Sequence, residues 1–275
     1  MSPLSATAKS WKSCRKLKNK EVIPLAQTVF NRYEKKYLMP EDVYLALRKR
    51  LASRMQVDQY GLHTICNLYY DTPDFELIRR SIEKPVYKEK LRLRSYGIPT
   101  MDSTVFLEIK KKYNKVVNKR RIPLTLAEAY AYVEQGIRPD QDSQILREID
   151  FFLDRYPLQR GVYLAYDRIA MFQKDEPDFR ITFDQNIRSR QMDMGLEKGD
   201  SGKHLLPEGY YLMESKIMGA TPLWFAQILS ELDIYPVSFS KYGNIYKSRF
   251  GGFHPQEMMA HRMENWEEIR RKEVC

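Results

Sequence analysis

The residues with the clearest chemical meaning are four cations that alternate with other side chains over one short segment. The segment reads Lys88-Glu89-Lys90-Leu91-Arg92-Leu93-Arg94. Side chains of a β-strand alternate between its two faces, so a strand here places the cations on one face and the leucines, with Glu89, on the other. Neighbouring cations repel one another unless an anion lies among them. The segment therefore predicts a polyanion-binding wall, with phosphate as the expected anion.

Five further segments alternate in the same way, with polar or charged residues on one face and apolar residues opposite. Their polar members are Arg32, Glu34 and Lys36; Glu108 and Lys110; Tyr166 and Arg168; Arg180, Thr182 and Asp184; and Glu214 and Lys216. For a single strand, a solvated sheet face is the simplest explanation. Six such strands favour a closed antiparallel barrel with a charged lumen and helices packed outside. Because unpaired buried cations are costly, we expect an anion inside it.

The glutamates on these faces indicate a divalent metal ion. Arginine and lysine alone would hold phosphate, so Glu34, Glu108 and Glu214 need a separate explanation. A carboxylate beside phosphate oxygens suits a divalent cation, and a structural salt bridge is the alternative for each residue. The pattern favours metal binding by Glu214 and leaves Glu34 and Glu108 open between the two roles.

Periodicity and turn signals predict the elements that must position these residues. Helices are expected at 40–55, 74–81, 126–136, 143–155 and 222–232, the third opened by a capping box of Thr125 and Glu128. Strands are expected at 64–70, 86–96, 104–112, 114–122, 161–172, 179–184 and 210–218, and a loop at 199–204. The fold class is α+β. A single barrel domain is predicted at 21–250, between a basic tail at 1–20 and a charged helical extension at 251–275.

Composition narrows the class of partner. The chain has 275 residues, a hydrophobic fraction of 43%, a formal net charge of +10 and a pI near 9.3. This balance favours an acidic partner: nucleic acid, a phosphate-rich small molecule or a lipid surface. No apolar run approaches the roughly 18 residues of a membrane span, and the basic N-terminus lacks the apolar core of a secretory signal. The tail is expected to be frayed, with an arm for anionic lipid or polymer as the alternative.

Cysteine and histidine usage adds little chemistry. Cys14, Cys66 and Cys275 have neither metal-ligand nor redox spacing, which favours a reducing cytosol. The four histidines form no cluster, so a histidine-based zinc site is not favoured. A cytoplasmic location is therefore expected.

These motifs together resemble a known family. From Phe30 to Lys247 the chain resembles the triphosphate tunnel metalloenzymes, and within them the polyphosphate polymerase domain of the vacuolar transporter chaperone type. The matching pieces are Arg32-Tyr33-Glu34-Lys35-Lys36-Tyr37, Leu68-Tyr69-Tyr70-Asp71-Thr72, Lys90-Leu91-Arg92-Leu93-Arg94, Glu108-Ile109-Lys110, Tyr166-Asp167-Arg168, Arg180-Ile181-Thr182-Phe183-Asp184, Glu214-Ser215-Lys216 and Phe239-Ser240-Lys241-Tyr242. Each piece is weak alone, and their order and spacing are specific.

The resemblance implies an eight-stranded tunnel that uses Mn²⁺ or Mg²⁺ to move the γ-phosphoryl group of ATP onto a growing polyphosphate. It implies that the catalytic residues are Arg92, Arg94, Lys110, Arg168 and Arg180. Phosphate binding would fall to Lys36, Lys90, Lys119, Arg121, Tyr166, Lys216, Ser240 and Lys241, with the register of Lys119 and Arg121 left open. Glu214 would hold the metal, with Glu34 and Glu108 as further candidates. Such a reaction needs positioning and charge stabilisation and no covalent intermediate.

Two departures from the family pattern shape the expectation. Hydrolases and cyclases of this group open with Glu-x-Glu-x-Lys, whereas this chain has Arg32-x-Glu34-x-Lys36, which favours the polymerase branch. The sequence also lacks room for the regulatory domain and membrane helices of eukaryotic relatives, so a stand-alone, bacterial-type protein is expected. Some relatives have a membrane partner, which would place this chain at the inner face of a membrane. Whether this chain has one stays open.

Three alternatives remain from the sequence. The first is a triphosphatase or nucleotidyl cyclase of the same fold. The second is a nucleic-acid-binding module, which is not expected because the cations lie opposite apolar faces and beside glutamates rather than among exposed aromatic residues. The third is a non-catalytic polyphosphate-binding subunit.

Overall fold

One antiparallel sheet organises the protein, and its two faces differ in chemistry. A computed structural model describes residues 32–114, 116–250 and 252. The strands are β1 Arg32–Pro40, β2 Met55–Val57, β3 His63–Asp71, β4 Tyr87–Tyr96, β5 Thr104–Tyr113, β6 Val116–Thr125, β7 Gln159–Gln173, β8 Arg180–Arg190, β9 Lys203–His204 and β10 Tyr210–Met218. The helices are α1 Glu41–Leu51, α2 Glu76–Ile82, α3 Leu126–Gln135, α4 Gln144–Arg155, α5 Leu223–Glu231 and α6 Lys241–Arg249.

The strand order is β1-β10-β8-β7-β3-β4-β5-β6, with β2 paired to β7 and β9 to β8. Strands β1 and β6 are the two ends, and within the described residues no ladder joins them. The α+β class and the antiparallel sheet are confirmed, whereas closure of the barrel by hydrogen bonds is not. The physical reason lies at the β1 edge, where Tyr37 bridges Pro236 and the Val237 amide donates to the Lys36 carbonyl at 2.7 Å.

The outer face of the sheet is apolar and covered by helices, as the alternation predicts. Leu91 and Leu93 of β4 are fully buried in a cluster with Phe152 of α4. On the other half of the sheet, Leu47 of α1 and Phe225 of α5 pack in a second cluster with strand residues. Burial of this apolar surface is the main stabilising contribution that holds the strands in register.

The opposite face is apolar over part of its area, which the sequence did not predict. Ile65, Leu164 and Leu212 are buried there with Tyr242 and Ile245 of α6, a helix missing from the sequence prediction. Its first turn is capped by the Ser240 hydroxyl, which accepts from the Gly243 amide at 3.1 Å. The Tyr242 hydroxyl donates to Asp71 at 2.7 Å. These contacts fix the start of α6, and therefore Lys241, against the sheet.

Several element boundaries differ from the prediction. Helix α1 ends at Leu51, because Met55–Val57 pairs with β7 instead of continuing the helix. Strand β8 runs on to Arg190, and the predicted loop at 199–204 ends in the short strand β9. The capping box of Thr125 and Glu128 is present, and α3 ends at a left-handed Gly136 (φ 73°).

The predicted basic tail at 1–20 and helical extension at 251–275 fall outside the described residues, apart from Gly252. No helix in the described part of the chain is both long enough and apolar enough to cross a lipid bilayer.

Candidate functional site

Strand register brings the predicted charged residues onto one face of the sheet, here called the charged face. Cross-strand partners share a face of an antiparallel sheet, so the pairs Lys90–Lys110, Arg92–Glu108, Lys110–Lys119 and Glu108–Arg121 align β4, β5 and β6. In the other half of the sheet, the same face carries the pairs Lys36–Glu214, Glu34–Lys216, Glu214–Thr182 and Arg168–Asp184. Both Lys119 and Arg121 lie on this face, which answers the register left open by the sequence.

The first ionic cluster surrounds Glu108, which is 1% exposed. Its carboxylate lies 2.6 Å from Arg92 Nη2, 2.8 Å from Lys119 Nζ and 4.0 Å from Arg94 Nε. Burial alone would raise the pKa of Glu108, but Arg92, Arg94 and Lys119 outweigh burial and lower it to about 2. Glu108 is therefore an ionised anchor that holds the neighbouring cations in place.

The second cluster surrounds two acids, Asp184 and Glu214. Arg168 makes a bidentate pair with fully buried Asp184 at 2.6 and 2.8 Å, and Lys241 Nζ lies 2.5 Å from the same carboxylate. Lys241 and Lys36 each approach Glu214 Oε1 to 3.2 Å. Burial would raise the pKa of Glu214, but Lys241, Lys36 and Arg168 hold it well below its usual value.

Tyr166 connects the two clusters, and Tyr69 supports the first. The Tyr166 hydroxyl accepts from Arg94 Nη2 at 3.2 Å, and the Lys241 ammonium lies 4.6 Å from the Tyr166 ring centroid. The Tyr69 hydroxyl accepts from Arg92 Nη1 at 2.8 Å. Burial raises the pKa of both tyrosines, but the cations around them bring it below the ordinary value. Each hydroxyl proton remains available for donation to an added anion.

Lys90 and Lys110 are two cations of the charged face that have no close carboxylate partner among the described residues. In the described part of the chain, no carboxylate oxygen lies within 4.0 Å of either ammonium group. Burial is the main cause that lowers the pKa of Lys90 to about 8, with further repulsion from Lys88, Lys110 and Lys36. Burial also lowers the pKa of Lys110, although its side chain reaches solvent. A solvent-filled concave surface lined by protein explains both facts.

The electrostatic neighbours of Lys110 show that the sheet curves. Glu34 and Lys36 of β1 both act electrostatically on Lys110 of β5, although these strands stand near opposite ends of the strand order. Side chains from the two ends of the sheet therefore approach each other across the charged face. The cations around this concave surface outnumber its carboxylates.

Some predicted residues lie outside the two clusters. Arg180 is exposed and donates to the Pro177 carbonyl at 3.2 Å. Arg121 lies 4.5 Å from the Phe106 ring centroid. Lys216 acts on Glu214 through its charge alone. The Ser240 oxygen caps α6, which leaves its hydroxyl proton free to donate.

Sequence reasoning missed three residues that organise the face. Asp184 was recognised as sharing the polar side of its strand but was not assigned to the site. Asn67 accepts from Arg94 Nε at 3.0 Å, and Tyr69 holds Arg92. The alternation through Leu68-Tyr69-Tyr70 contained the signal for Tyr69. A single buried amide at Asn67 has no comparable sequence signal.

The fit of a metal ion depends on a bound polyanion. Among the described residues, no group of three or more His, Cys, Asp and Glu side chains is arranged to hold a metal. Glu214 and Asp184 are close enough to interact electrostatically, and both are paired with cations. A divalent ion at a phosphate site needs only one or two carboxylates besides phosphate oxygens. These two acids fit such a shared ion, and they do not form a cage for a metal held by protein alone.

Comparison with known families identifies the chain. The family model of the VTC domain matches residues 31–250, and the chain belongs to this family. The resemblance inferred from the motifs is thereby confirmed. No curated protein sequence matches the chain significantly.

The solved structures to which the chain is similar are distant in sequence. A candidate adenylate cyclase from Bacillus halodurans is 17% identical, with 75% of this chain and 92% of that chain covered and a TM-score of 0.48. A candidate adenylyl cyclase from Hippeastrum, whose dominant activity is that of a triphosphatase, is 14% identical, with 81% and 97% covered and a TM-score of 0.49. The triphosphatase of the Mimivirus capping enzyme is 9% identical, with 73% and 88% covered and a TM-score of 0.29.

Removing the charge of Asp184 is expected to destabilise the protein. Asp184→Asn leaves Arg168 and Lys241 buried without their main counter-charge, so the free energy of unfolding should fall by about 3 kcal/mol. Urea unfolding measures this change. The control is Asp74→Asn, whose exposed carboxylate pairs with Arg79 at the surface and should leave stability near wild type. Equal effects of the two substitutions would show that solvent screens the Asp184 cluster.

Proposed function

We propose that this protein is a polyphosphate polymerase that transfers the γ-phosphoryl group of ATP to a growing inorganic polyphosphate chain. The observation that carries the proposal is the surplus of inward-facing cations, above all Lys90 and Lys110, beside two preformed ionic clusters. Such an arrangement is stable with a polyanion among the cations and repulsive without one. We further propose that the curved sheet forms a tunnel around the polyphosphate chain. Within the part of the protein that the structure describes, the wall of this tunnel is not closed by hydrogen bonds between β1 and β6.

The cations have separate tasks in the proposed transfer. Arg92 and Arg94 are oriented by Glu108, Asn67 and Tyr69, and would bind phosphoryl oxygens in fixed directions. Arg168, Lys241 and Lys36 would bind the same chain from the opposite wall. Lys90 and Lys110 would hold the acceptor phosphate in line with the donor. Because Arg92 and Arg94 are held in place before substrate arrives, these two arginines reorganise little during the transfer.

A divalent metal ion, Mn²⁺ or Mg²⁺, would neutralise charge on the transferring phosphoryl group. Glu214, with Asp184 beside it, would supply the protein oxygens. Both are buried acids with lowered pKa values, so they are ionised at neutral pH. Lys36 and Lys241 now neutralise Glu214, and a bound polyphosphate would draw these ammonium groups towards its own oxygens. Glu34 would stay a peripheral contributor near Lys36.

The state of the carboxylates favours phosphate over water as the acceptor. Attack by water or by a ribose hydroxyl needs a general base. Glu108, Asp184 and Glu214 all have lowered pKa values and are paired with cations, which makes them weak bases. A terminal phosphate is already ionised near neutral pH, because its second pKa is about 6. Transfer to polyphosphate therefore needs no general base at this site, whereas hydrolysis and cyclisation do.

ATP and inorganic polyphosphate are the proposed partners. Nucleic acid is not expected, and a membrane-protein partner stays a prediction from the family resemblance. Location in the cytoplasm stays a prediction as well.

The activity is tested by incubating the protein with ATP and Mn²⁺ or Mg²⁺ and separating the products by gel electrophoresis. A ladder of long chains is the expected result. Arg92→Ala should lower the rate of synthesis by about 100-fold, because one charge-stabilising donor contributes on that scale. Glu214→Gln should lower the rate to a similar extent and weaken its dependence on metal concentration.

The matched control is Arg79→Ala, which removes an exposed arginine of α2 that pairs with Asp74 at the surface and should keep wild-type synthesis. Products limited to ADP and orthophosphate would indicate a triphosphatase, and cyclic AMP would indicate a cyclase. Wild-type synthesis by both Arg92→Ala and Glu214→Gln would show that the assigned site is wrong.

Polyanion binding should depend on pH through Lys90. Its pKa is about 8 in the free protein, and a bound polyanion favours the protonated form. Binding then requires proton uptake above pH 8, so affinity should fall as pH rises. Between pH 7 and pH 9.5 the affinity for tripolyphosphate should fall about tenfold relative to Lys90→Arg, because arginine stays charged.

Calorimetric titration of both proteins measures this effect. The ratio of their two affinities at each pH cancels the contribution from titration of the ligand itself. Identical pH profiles for wild type and Lys90→Arg would contradict the assignment of Lys90 to the binding surface.

A further inference from the structure

A row of aromatic rings lies at one end of the charged face and takes no part in the proposed phosphate contacts. We call Tyr60, His63, Tyr96 and Phe106 the aromatic rim. Successive ring centroids along the row are 6.1, 6.1 and 5.8 Å apart. Register places its strand members on the charged face, since Phe106 is opposite Arg94 and His63 is opposite Arg168.

Two of the four rings of the rim are exposed and the other two are half-buried, unlike rings that only stabilise a sheet. Tyr96 is 54% exposed and Tyr60 is 67% exposed. Arg121 covers one end, with its guanidinium 4.5 Å from the Phe106 ring centroid and Nη1 donating to the Tyr96 hydroxyl at 3.5 Å. Exposed rings with an arginine over one of them are typical of surfaces that stack nucleobases.

The rim continues directly from the phosphate-binding cations. Arg92, Arg94 and Tyr96 follow one another on the same side of β4, at about 6.7 Å per step. In the other direction along β4 the same side carries Lys90 and Lys88. Burial lowers the pKa of Lys88, and Lys112 and Lys110 lower it further, which shows that cations crowd this opposite end. The two ends of the charged face therefore differ: one offers rings beside arginines, and the other offers lysines.

We propose that the aromatic rim stacks the base of the donor nucleoside triphosphate. The triphosphate would then pass Arg94 and Arg92, and the polyphosphate chain would extend towards Lys90, Lys110 and Lys88. The proposal rests on the proposed function and adds to it a nucleobase site and a direction for the chain. The rim would distinguish a nucleotide, which has a base, from a bare polyphosphate of similar charge.

The test compares two ligands, ATP and inorganic tripolyphosphate, by competitive binding at one pH and salt concentration. In Tyr96→Ala the ratio of the dissociation constant for ATP to that for tripolyphosphate should rise about tenfold, because stacking on one ring contributes on this scale. Tyr96→Phe keeps the ring and should keep the wild-type ratio. Tyr113→Ala removes an exposed tyrosine at the far end of β5, on the opposite face, and should also keep it.

An unchanged ratio in Tyr96→Ala would overturn the proposal, as would an equal rise in Tyr113→Ala. Thermal unfolding of each variant confirms that the fold is intact. The outcome is separate from that of the polymerase assay. If the ratio responds to Tyr96→Ala but no polyphosphate forms, the base site stands and the polymerase proposal fails. If polyphosphate forms and the ratio does not respond, the base site alone fails.

Discussion

Repulsion among the cations of the charged face is the interaction on which the rest of the structure depends. Lysines and arginines from most strands of the sheet converge there, and few carboxylates oppose them. The fold responds by placing each inward acid among several cations: Glu108 is shared by Arg92 and Lys119, and Asp184 by Arg168 and Lys241. The remaining surplus, at Lys90 and Lys110, is what a polyanion would neutralise.

The apolar packing serves this arrangement by fixing strand register. A slip of one residue in β4 would bury its cations and expose Leu91 and Leu93. Helices α3 and α4 cover these leucines, and α1 and α5 cover the other half of the sheet. Helix α6 has a different task, because its Tyr242 contact with Asp71 positions Lys241 beside Asp184 and Glu214. Packing energy thus stabilises a charged surface that would otherwise open.

Much of this could be predicted from the sequence because its signal is local. The alternation of β4 predicted both its buried leucines and its cations, and Thr125 with Glu128 predicted the start of α3. The missing parts depend on contacts distant in the chain. The sequence predicts that Met55 continues α1, but Met55 pairs with β7 instead. Strand β1 does not pair with β6 in the described part of the chain, because residues 236–237 occupy the free edge of β1. Asp184 becomes a central acid only after β7, β8 and α6 meet around it.

The central claim is that a phosphate chain lies among these cations, and a crystal structure with tripolyphosphate and Mn²⁺ tests it most directly. We expect phosphate oxygens within hydrogen-bonding distance of Lys90, Arg92 and Lys110, and Mn²⁺ held by Glu214. We also expect Lys36 and Lys241 to turn from Glu214 towards the ligand. Tripolyphosphate bound elsewhere, with every ion pair of Glu214 and Asp184 unchanged, would contradict it.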